Sequence, residues 1–253
     1  TKADSHQDLL SRNVLAMTTT ITAPLSHQHR HFHPKFPNLD SGPDFEAITL
    51  AGLLPALARR SDFNGVTLTD QGFGDTPAGV QLSRELSMLF LHCDEYSTDP
   101  TGAASSSGPL AWVSHRTLGE LSLSTRQAWD LAAANLQRRA LTDQGLEFRT
   151  RRATELLPGC TGGVQVEALG APTSSWLAHP QTFAILDQHL RRLIRAQKIT
   201  YLIPDRRTVI ALKDAPIERA RYWSQKLSEQ RRLRGAVLSP QPLVWANGFP
   251  LEV

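Results

Sequence analysis

Four segments of the chain carry apolar residues at the spacing of an amphipathic helix. In each, apolar positions recur near i, i+3, i+4 and i+7, which places them on one helix face. The predicted helices lie near residues 44–60, 124–141, 180–197 and 216–231. Ser124, Pro180 and Pro216 suit helix starts, because serine caps helices and proline is tolerated in the first turn. In the first segment, Pro55 predicts a kink or an early end.

Short apolar or alternating runs between these segments predict β-strands. Residues 86–91 are apolar apart from Ser87, which is typical of a central strand buried on both faces. Residues 199–203 and 208–212 flank a turn with an early proline, which indicates a hairpin. Further strands are predicted at 111–114, 147–152, 164–166, 237–238 and 243–245. The fold class is therefore α+β, with a mainly antiparallel or mixed sheet covered by about four helices.

Residues 1–43 lack a sustained hydrophobic period. The part from Met17 onward is rich in Thr, Pro and His, which predicts a flexible, loosely ordered arm. Because Thr1 is not an initiator and Met17 is, residues 1–16 are interpreted as an extension or tag remnant. Residues 44–253 are predicted to form one α+β domain, with a division into two subdomains near 158–172 as the alternative.

Composition places the chain among ordinary globular proteins. It has 253 residues, 40% of them hydrophobic and 20% charged, which suffices for a full core and excludes global disorder. No apolar stretch approaches the roughly 20 residues that span a bilayer, so no membrane is expected. The two cysteines, Cys93 and Cys160, and the lack of a secretory pattern predict free thiols and a cytoplasmic location.

The basic residues concentrate in the C-terminal third of the chain. Residues 186–235 contain thirteen Lys and Arg against five Asp and Glu, although the whole chain carries only +3. The candidate binding residues there are Arg219, Arg231, Arg232 and Arg234. With Tyr222 and Trp223 they would form a nucleic-acid face that combines phosphate contacts with stacking. The favoured alternative puts Trp223 in the core and leaves the arginines solvated, so nucleic acid is not the expected partner.

Alternating histidines in the N-terminal arm are the only candidate metal ligands. They are His27, His29, His31 and His33. In an extended chain all four would point to one side, where neighbours could share Zn²⁺ or Ni²⁺. A functional zinc site takes its ligands from rigid elements, so adventitious binding by a solvated arm is the preferred interpretation.

A histidine and a cysteine end the predicted strand at 86–91. His92 and Cys93 are candidate catalytic residues, with His115 near the next strand as a candidate base. The alternative is that these polar residues only mark where the strand meets water. Asn135, on an apolar helix face, and Asp205, in the predicted turn, are interpreted as architectural, because a buried amide needs partners.

Motifs of the common enzyme classes are missing. The chain contains no Gly-x-Ser-x-Gly, Gly-x-Gly-x-x-Gly, Gly-Lys-Ser/Thr, His-Glu-x-x-His or Cys-x-x-Cys. These motifs carry nucleophile elbows, phosphate loops and zinc sites. Nucleotide-dependent enzymes are therefore disfavoured, and no cofactor is expected.

Two short stretches resemble a known family. The first stretch is WVSHRTLGELSL at 112–123, which leads into AAANLQRR at 132–139. It resembles a region of the DUF1444 (UPF0354, YtpQ-like) family in which a strand and a Leu-Gly-Leu-Ser motif precede a helix with Ala-x-x-Asn-Leu. Glu120 interrupts the Leu-Gly-Leu-Ser motif here. SSWL at 174–177 and LIPDRRTV at 202–209 resemble its Ala-Ser-Leu-Leu and Pro-x-Arg-Asp region. In this chain the proline is followed by Asp-Arg-Arg, so the second match is partial. The resemblance covers about residues 79–227 and implies one mixed domain without a known catalytic constellation.

These observations favour a cytoplasmic, non-catalytic binding or protein-interaction domain. Its partner would be another protein or a second copy of the chain. The alternatives are a hydrolase-type enzyme that uses Cys93 or His92, and a weak nucleic-acid binder that uses the basic C-terminal third.

Overall fold

The computed structural model describes residues 19–23, 49–62, 74, 76–93, 111–232 and 237–253. The strands within these ranges are β1 Thr19–Ala23, β2 Leu53–Arg59, β3 Gly79–Gln81, β4 Leu86–His92, β5 Ala111–Trp112, β6 Leu141–Thr142, β7 Gly145–Arg152, β8 Gly163–Ala168, β9 Ile199–Leu202, β10 Val209–Lys213, β11 Leu243–Ala246 and β12 Phe249–Glu252. The helices are α1 His115–Glu120, α2 Thr125–Arg139, α3 Pro180–Ile194 and α4 Ile217–Arg232. This inventory confirms the predicted α+β class.

The strands form two antiparallel sheets. The larger has the order β1-β7-β8-β10-β9-β11-β12, with β6 also paired to β7. The predicted hairpin is confirmed, because β9 and β10 pair with Leu202 opposite Ile210. The smaller sheet has the order β2-β4-β3, and β5 also pairs with β4. β4 is therefore central and buried over most of its length, as its apolar run predicts.

The prediction of a helix near 44–60 is wrong, because residues 53–59 form strand β2. Apolar residues at helical spacing and a continuous apolar run look alike over so short a length. Every residue from Leu53 to Ala58 is buried, as expected for a strand that is covered on both faces. A helix with one apolar face would bury only part of this run. Pro55 is tolerated because β2 is an edge strand of its sheet, where a missing N–H costs no ladder bond.

Two further segments differ from their predictions. Residues 19–23, inside the segment interpreted as a loose arm, form β1 and pair with β7, with Ile21 opposite Phe148. Residues 237–238 were predicted as a strand and are not one. The Leu238 amide instead donates to the Pro204 carbonyl at 2.9 Å, so this segment anchors to the β9–β10 turn rather than to a ladder.

The other three predicted helices are confirmed, and local sequence explains where they start. Ser124 and Gln127 form a reciprocal capping box at the start of α2. Pro180 occupies the first turn of α3, and the preceding His179 caps it. The short helix α1 was not predicted. No helix in the described part of the chain is long and apolar enough to cross a membrane.

One main core joins the two sheets. Apolar side chains of β2 and β4 share it with α2, α3 and one face of the larger sheet, including Phe148 and Tyr201. A second, smaller core lies on the opposite face, where α4 covers Leu202, Ile210 and Leu212. A short hydrogen bond from the Ser83 hydroxyl to Glu252 Oε1 also ties the β3–β4 turn to β12. Helix α4 is therefore the only long helix on the outer face of the larger sheet within the described chain.

Candidate functional site

Helix α4 forms because its apolar residues recur on one face while charged residues fill the other. Its buried positions follow the i, i+3, i+4, i+7, i+8 rule. They are Ala220, Trp223, Ser224, Leu227 and Ser228. An acidic residue in the first turn and two arginines in the last turn suit the helix dipole. The charged face of α4 is left for solvent or a ligand.

Two neighbouring aromatic residues of α4 have opposite environments. Trp223 is only 7% exposed and belongs to the smaller core, which confirms the interpretation that it is a core residue. Tyr222 is 61% exposed, the highest value among the exposed large apolar side chains of the described residues. The Arg219 guanidinium lies 5.6 Å from the centre of the Trp223 ring, within cation–π range. This contact holds Arg219 beside Tyr222.

A groove of about 450 Å³ lies between the first half of α4 and the loop after β7. Pro158 and Gly159 form one wall, and Glu218, Arg219, Tyr222 and Trp223 form the other. The turn is fixed from both sides, because Leu157 and Cys160 are buried in the smaller core. Gly159 has φ +81°, a conformation that suits glycine, and the turn itself stays exposed. The backbone that carries Pro158 and Gly159 is therefore anchored by buried residues on both sides.

The groove presents one uncompensated positive charge. Arg219 forms no ion pair with an acidic residue in the described part of the chain. Glu218, on the other hand, has a cationic neighbour, because Arg221 lies 3.7 Å from its carboxylate across one helical turn. Both members of that pair are exposed, so it is worth a fraction of a kcal/mol, roughly 0.3–0.5. An anionic group would find its partner in Arg219.

Arg219 and Arg231, two of the four candidate arginines, do not lie on one surface. Arg231 lies about 18 Å along the helix axis from Arg219 and is rotated by about 120° around it. Arg231 also forms an ion pair with Asp205, with Nε 2.9 Å from Oδ2. Asp205 in turn accepts from the Thr208 amide at 2.8 Å, so it holds its own turn. Arg232 is exposed at the helix end. Arg234 lies outside the described residues.

The three candidate catalytic residues have different local environments. His92 Nε2 accepts a hydrogen bond from the Thr49 amide at 3.0 Å. The Cys93 thiol is buried in the main core, while its backbone carbonyl accepts from Arg139 at 2.6 Å. His115 is the exposed first residue of α1. No hydrogen bond within the described residues joins the Cys93 thiol to either histidine.

Metal binding finds no support in the described part of the chain. No group of three or more His, Cys, Asp or Glu is placed there to hold an ion. The candidate ligands of the arm, His27, His29, His31 and His33, lie outside the described residues.

A buried histidine caps helix α3, and burial shifts its pKa. His179 Nδ1 accepts from the Gln181 amide at 3.2 Å, so Nε2 carries the proton that is shared with Asp130 Oδ1, also at 3.2 Å. Desolvation by burial lowers the pKa of His179 below 6.5, and the hydrogen bond and charge of Asp130 oppose this only in part. Both ring nitrogens are occupied, so His179 is a capping residue rather than a free base.

Protonation of His179 is expected to destabilise the protein in mild acid. Its pKa is lower in the folded state, so the unfolded chain binds the proton first. The stabilisation is complete above pH 6.5 and is lost as the pH falls from 6.5 towards the lowered value. His189, whose pKa burial also lowers, acts in the same direction. Urea unfolding at several pH values measures this loss.

The matched control for this prediction is His179→Asn. Asparagine keeps an oxygen that caps the helix but does not titrate in this range. We expect the variant to lose less stability than the wild type when the pH is lowered below 6.5. Identical pH dependence in the two proteins would show that the cap does not titrate as described.

Comparisons with known proteins were made for the whole chain. No protein-family model, no curated protein and no solved structure matches it. The resemblance to the DUF1444 family therefore stays a prediction from short segments.

Proposed function

We propose that this protein is a non-catalytic binding domain that recognises a segment of a partner protein in the groove at the start of α4. The observation that carries the proposal is the exposed ring of Tyr222 beside Arg219, a cation without an ion pair among the described residues, opposite the anchored turn of Pro158 and Gly159. Tyrosine, tryptophan and arginine are the residues most enriched at the energetic centres of protein interfaces.

The chemistry of the groove selects its ligand. Tyr222 and Pro158 offer apolar surfaces on which an aromatic side chain of the partner can pack. Arg219 offers a planar guanidinium that accommodates a carboxylate through paired hydrogen bonds. A partner segment with an aromatic residue next to an acidic residue fits both features.

Two competing functions receive less support. Catalysis by Cys93 or His92 would need a nucleophile and a base in contact, whereas the Cys93 thiol is buried among apolar side chains. Nucleic-acid binding would need several free cations and stacking rings on one surface. Trp223 is buried, so its ring is not available to stack on a base. Arg231 is paired with Asp205, so its charge is already compensated.

We also propose a cytoplasmic location. Cys93 and Cys160 are both buried and unpaired. A chain of this size with free thiols and a sufficient apolar core is typical of reducing compartments.

Peptide selection by phage display, with the full chain immobilised, tests the proposed ligand. We expect the wild type to enrich peptides in which an aromatic residue lies next to Asp or Glu. The substitutions Tyr222→Ala and Arg219→Glu should each weaken binding of an enriched peptide by about tenfold or more, which is the range of an interface hot spot.

Arg232→Ala is the matched control, since Arg232 is exposed on the same helix but does not line the groove. It should bind the enriched peptide as the wild type does. The proposal fails if no aromatic and acidic sequences are enriched, or if Arg232→Ala weakens binding as much as Arg219→Glu. Urea unfolding of each variant shows whether its fold is intact.

A further inference from the structure

A second groove lies on the same outer face of the larger sheet, on the opposite side of α4 from β11 and β12. Helix α4 covers β9 and β10, and the outward side chains of β7 and β8 stay partly exposed beside it. The resulting groove has a volume of about 420 Å³ and reaches the turn between β9 and β10. It shares no lining residue with the groove at Tyr222, so what it binds is independent of the proposed function.

Three arginines line this second groove. Arg149 and Arg151 point outward from β7, because side chains two apart on a strand share a face. Arg207 reaches it from the turn. Strand register places Glu167 opposite Arg149 and Gln165 opposite Arg151. The cations thus come from two separate elements and converge on one site.

Each guanidinium keeps donors available for a ligand. Arg151 Nε donates to Gln165 Oε1 at 2.6 Å, and its nearest carboxylate, that of Glu155, is 3.8 Å away. Arg149 Nε donates to Glu147 Oε1 at 3.3 Å in an ion pair, and the terminal nitrogens of its guanidinium remain for a ligand. Arg207 is exposed and has no ion pair in the described part of the chain. A guanidinium has five N–H donors, so these contacts use only part of the set.

The turn that carries Arg207 is held in place before binding. The Asp205 carboxylate accepts from the Arg207 amide at 2.9 Å and from the Thr208 amide at 2.8 Å. It also forms the ion pair with Arg231 Nε at 2.9 Å. This arrangement fixes the backbone from which the Arg207 side chain extends. Less conformational freedom is then lost when a ligand binds.

The remaining lining residues define the rest of the ligand. None of the groove's lining residues is aromatic, so a nucleotide base would find no ring to stack on. Gln165, Glu155 and Glu167 instead provide hydrogen-bond partners suited to hydroxyl groups. Arginine binds phosphate oxygens in a bidentate geometry. We propose that this groove binds a phosphate ester of a small polyhydroxylated molecule, with the phosphate on Arg149, Arg151 and Arg207.

Isothermal titration of the full chain with glucose 6-phosphate tests this site, with glucose and inorganic phosphate as separate arms. We expect glucose 6-phosphate to bind more tightly than either. Arg207→Gln and Arg149→Gln should each weaken binding by about tenfold, because each removes charge-assisted hydrogen bonds. Glu167→Gln should strengthen binding several-fold, because it removes a negative charge beside the phosphate without changing the shape of the side chain.

Arg232→Gln is the charge-matched control, since Arg232 does not line this groove. It should leave the affinity unchanged. Equal weakening by Arg232→Gln and Arg207→Gln, or no binding of glucose 6-phosphate at millimolar concentration, would overturn the site. Equal affinity for inorganic phosphate would overturn the assignment of the polyhydroxylated group. Tyr222→Ala should not affect this titration, which separates the outcome from that of the peptide selection.

Discussion

Asp187→Ala is expected to lower the free energy of unfolding by about 3 kcal/mol, because it removes the acceptor of a buried hydroxyl together with one member of a partly buried ion pair. The Asp187 side chain is 7% exposed and links two elements of the main core. Its Oδ1 accepts from the Tyr201 hydroxyl at 2.9 Å, and its Oδ2 accepts from Arg191 Nε. Burial, followed by the charge of Asp187, raises the pKa of Tyr201 well above its usual value. The hydroxyl therefore stays protonated and, without Asp187, becomes a buried donor with no acceptor.

A double-mutant cycle with Tyr201→Phe isolates this contact. Because the phenylalanine has no hydroxyl to leave unsatisfied, Asp187→Ala should cost less in the Tyr201→Phe background than in the wild type. Equilibrium urea unfolding of the four proteins measures both differences. Strictly additive losses would mean that the hydrogen bond between Asp187 and Tyr201 does not contribute as described.

Asn135→Ala is expected to lower the free energy of unfolding by about 2–3 kcal/mol, because it leaves buried polar groups without partners. Asn135 is 1% exposed on the core side of α2. Its Nδ2 donates to the carbonyls of Leu50 and Leu53, at 2.7 and 3.0 Å. The side chain thus ties α2 to the start of β2. Thermal and urea unfolding measure the loss.

Asn135→Asp is the informative companion variant. It keeps the shape of the side chain but has no N–H donors, so it should also be destabilised at neutral pH. Alanine is a better helix former than asparagine, so propensity alone would make Asn135→Ala slightly stabilising. A loss below about 1 kcal/mol for Asn135→Ala would contradict the role of this tie.

Local sequence signals explain the elements that were predicted correctly. The capping box of Ser124 and Gln127 and the proline at 180 mark helix starts through contacts within one turn of chain. The hairpin of β9 and β10 follows from its turn residues in the same way. Asn135 was interpreted as architectural, and its hydrogen bonds to Leu50 and Leu53 confirm this.

Features that depend on distant contacts were not predictable. The apolar run at 53–58 becomes a strand because it pairs with β4, whose residues lie 29 to 39 positions further along the chain. Periodicity alone does not distinguish that outcome from a helix. Likewise, Arg231 carries no sequence signal that it pairs with Asp205, 26 residues earlier.

The two grooves likewise combine residues with a local sequence signal and residues that only distant contacts bring in. Arg219 and Tyr222 could be named from sequence, but the wall formed by Pro158 and Gly159 comes from a turn about sixty residues away. The second groove has a signal in the sequence. Arg149 and Arg151 alternate with buried residues along β7, which places two cations on one sheet face.

The most direct test of the proposed binding domain is chemical-shift mapping of the isotope-labelled full chain with its best enriched peptide. We predict that the amides of Gly159, Glu218, Arg219 and Tyr222, with the indole N–H of Trp223, change most. These groups line or adjoin the first groove. Changes concentrated around His92 or on β7 and β8, or no changes at saturating peptide, would contradict the account.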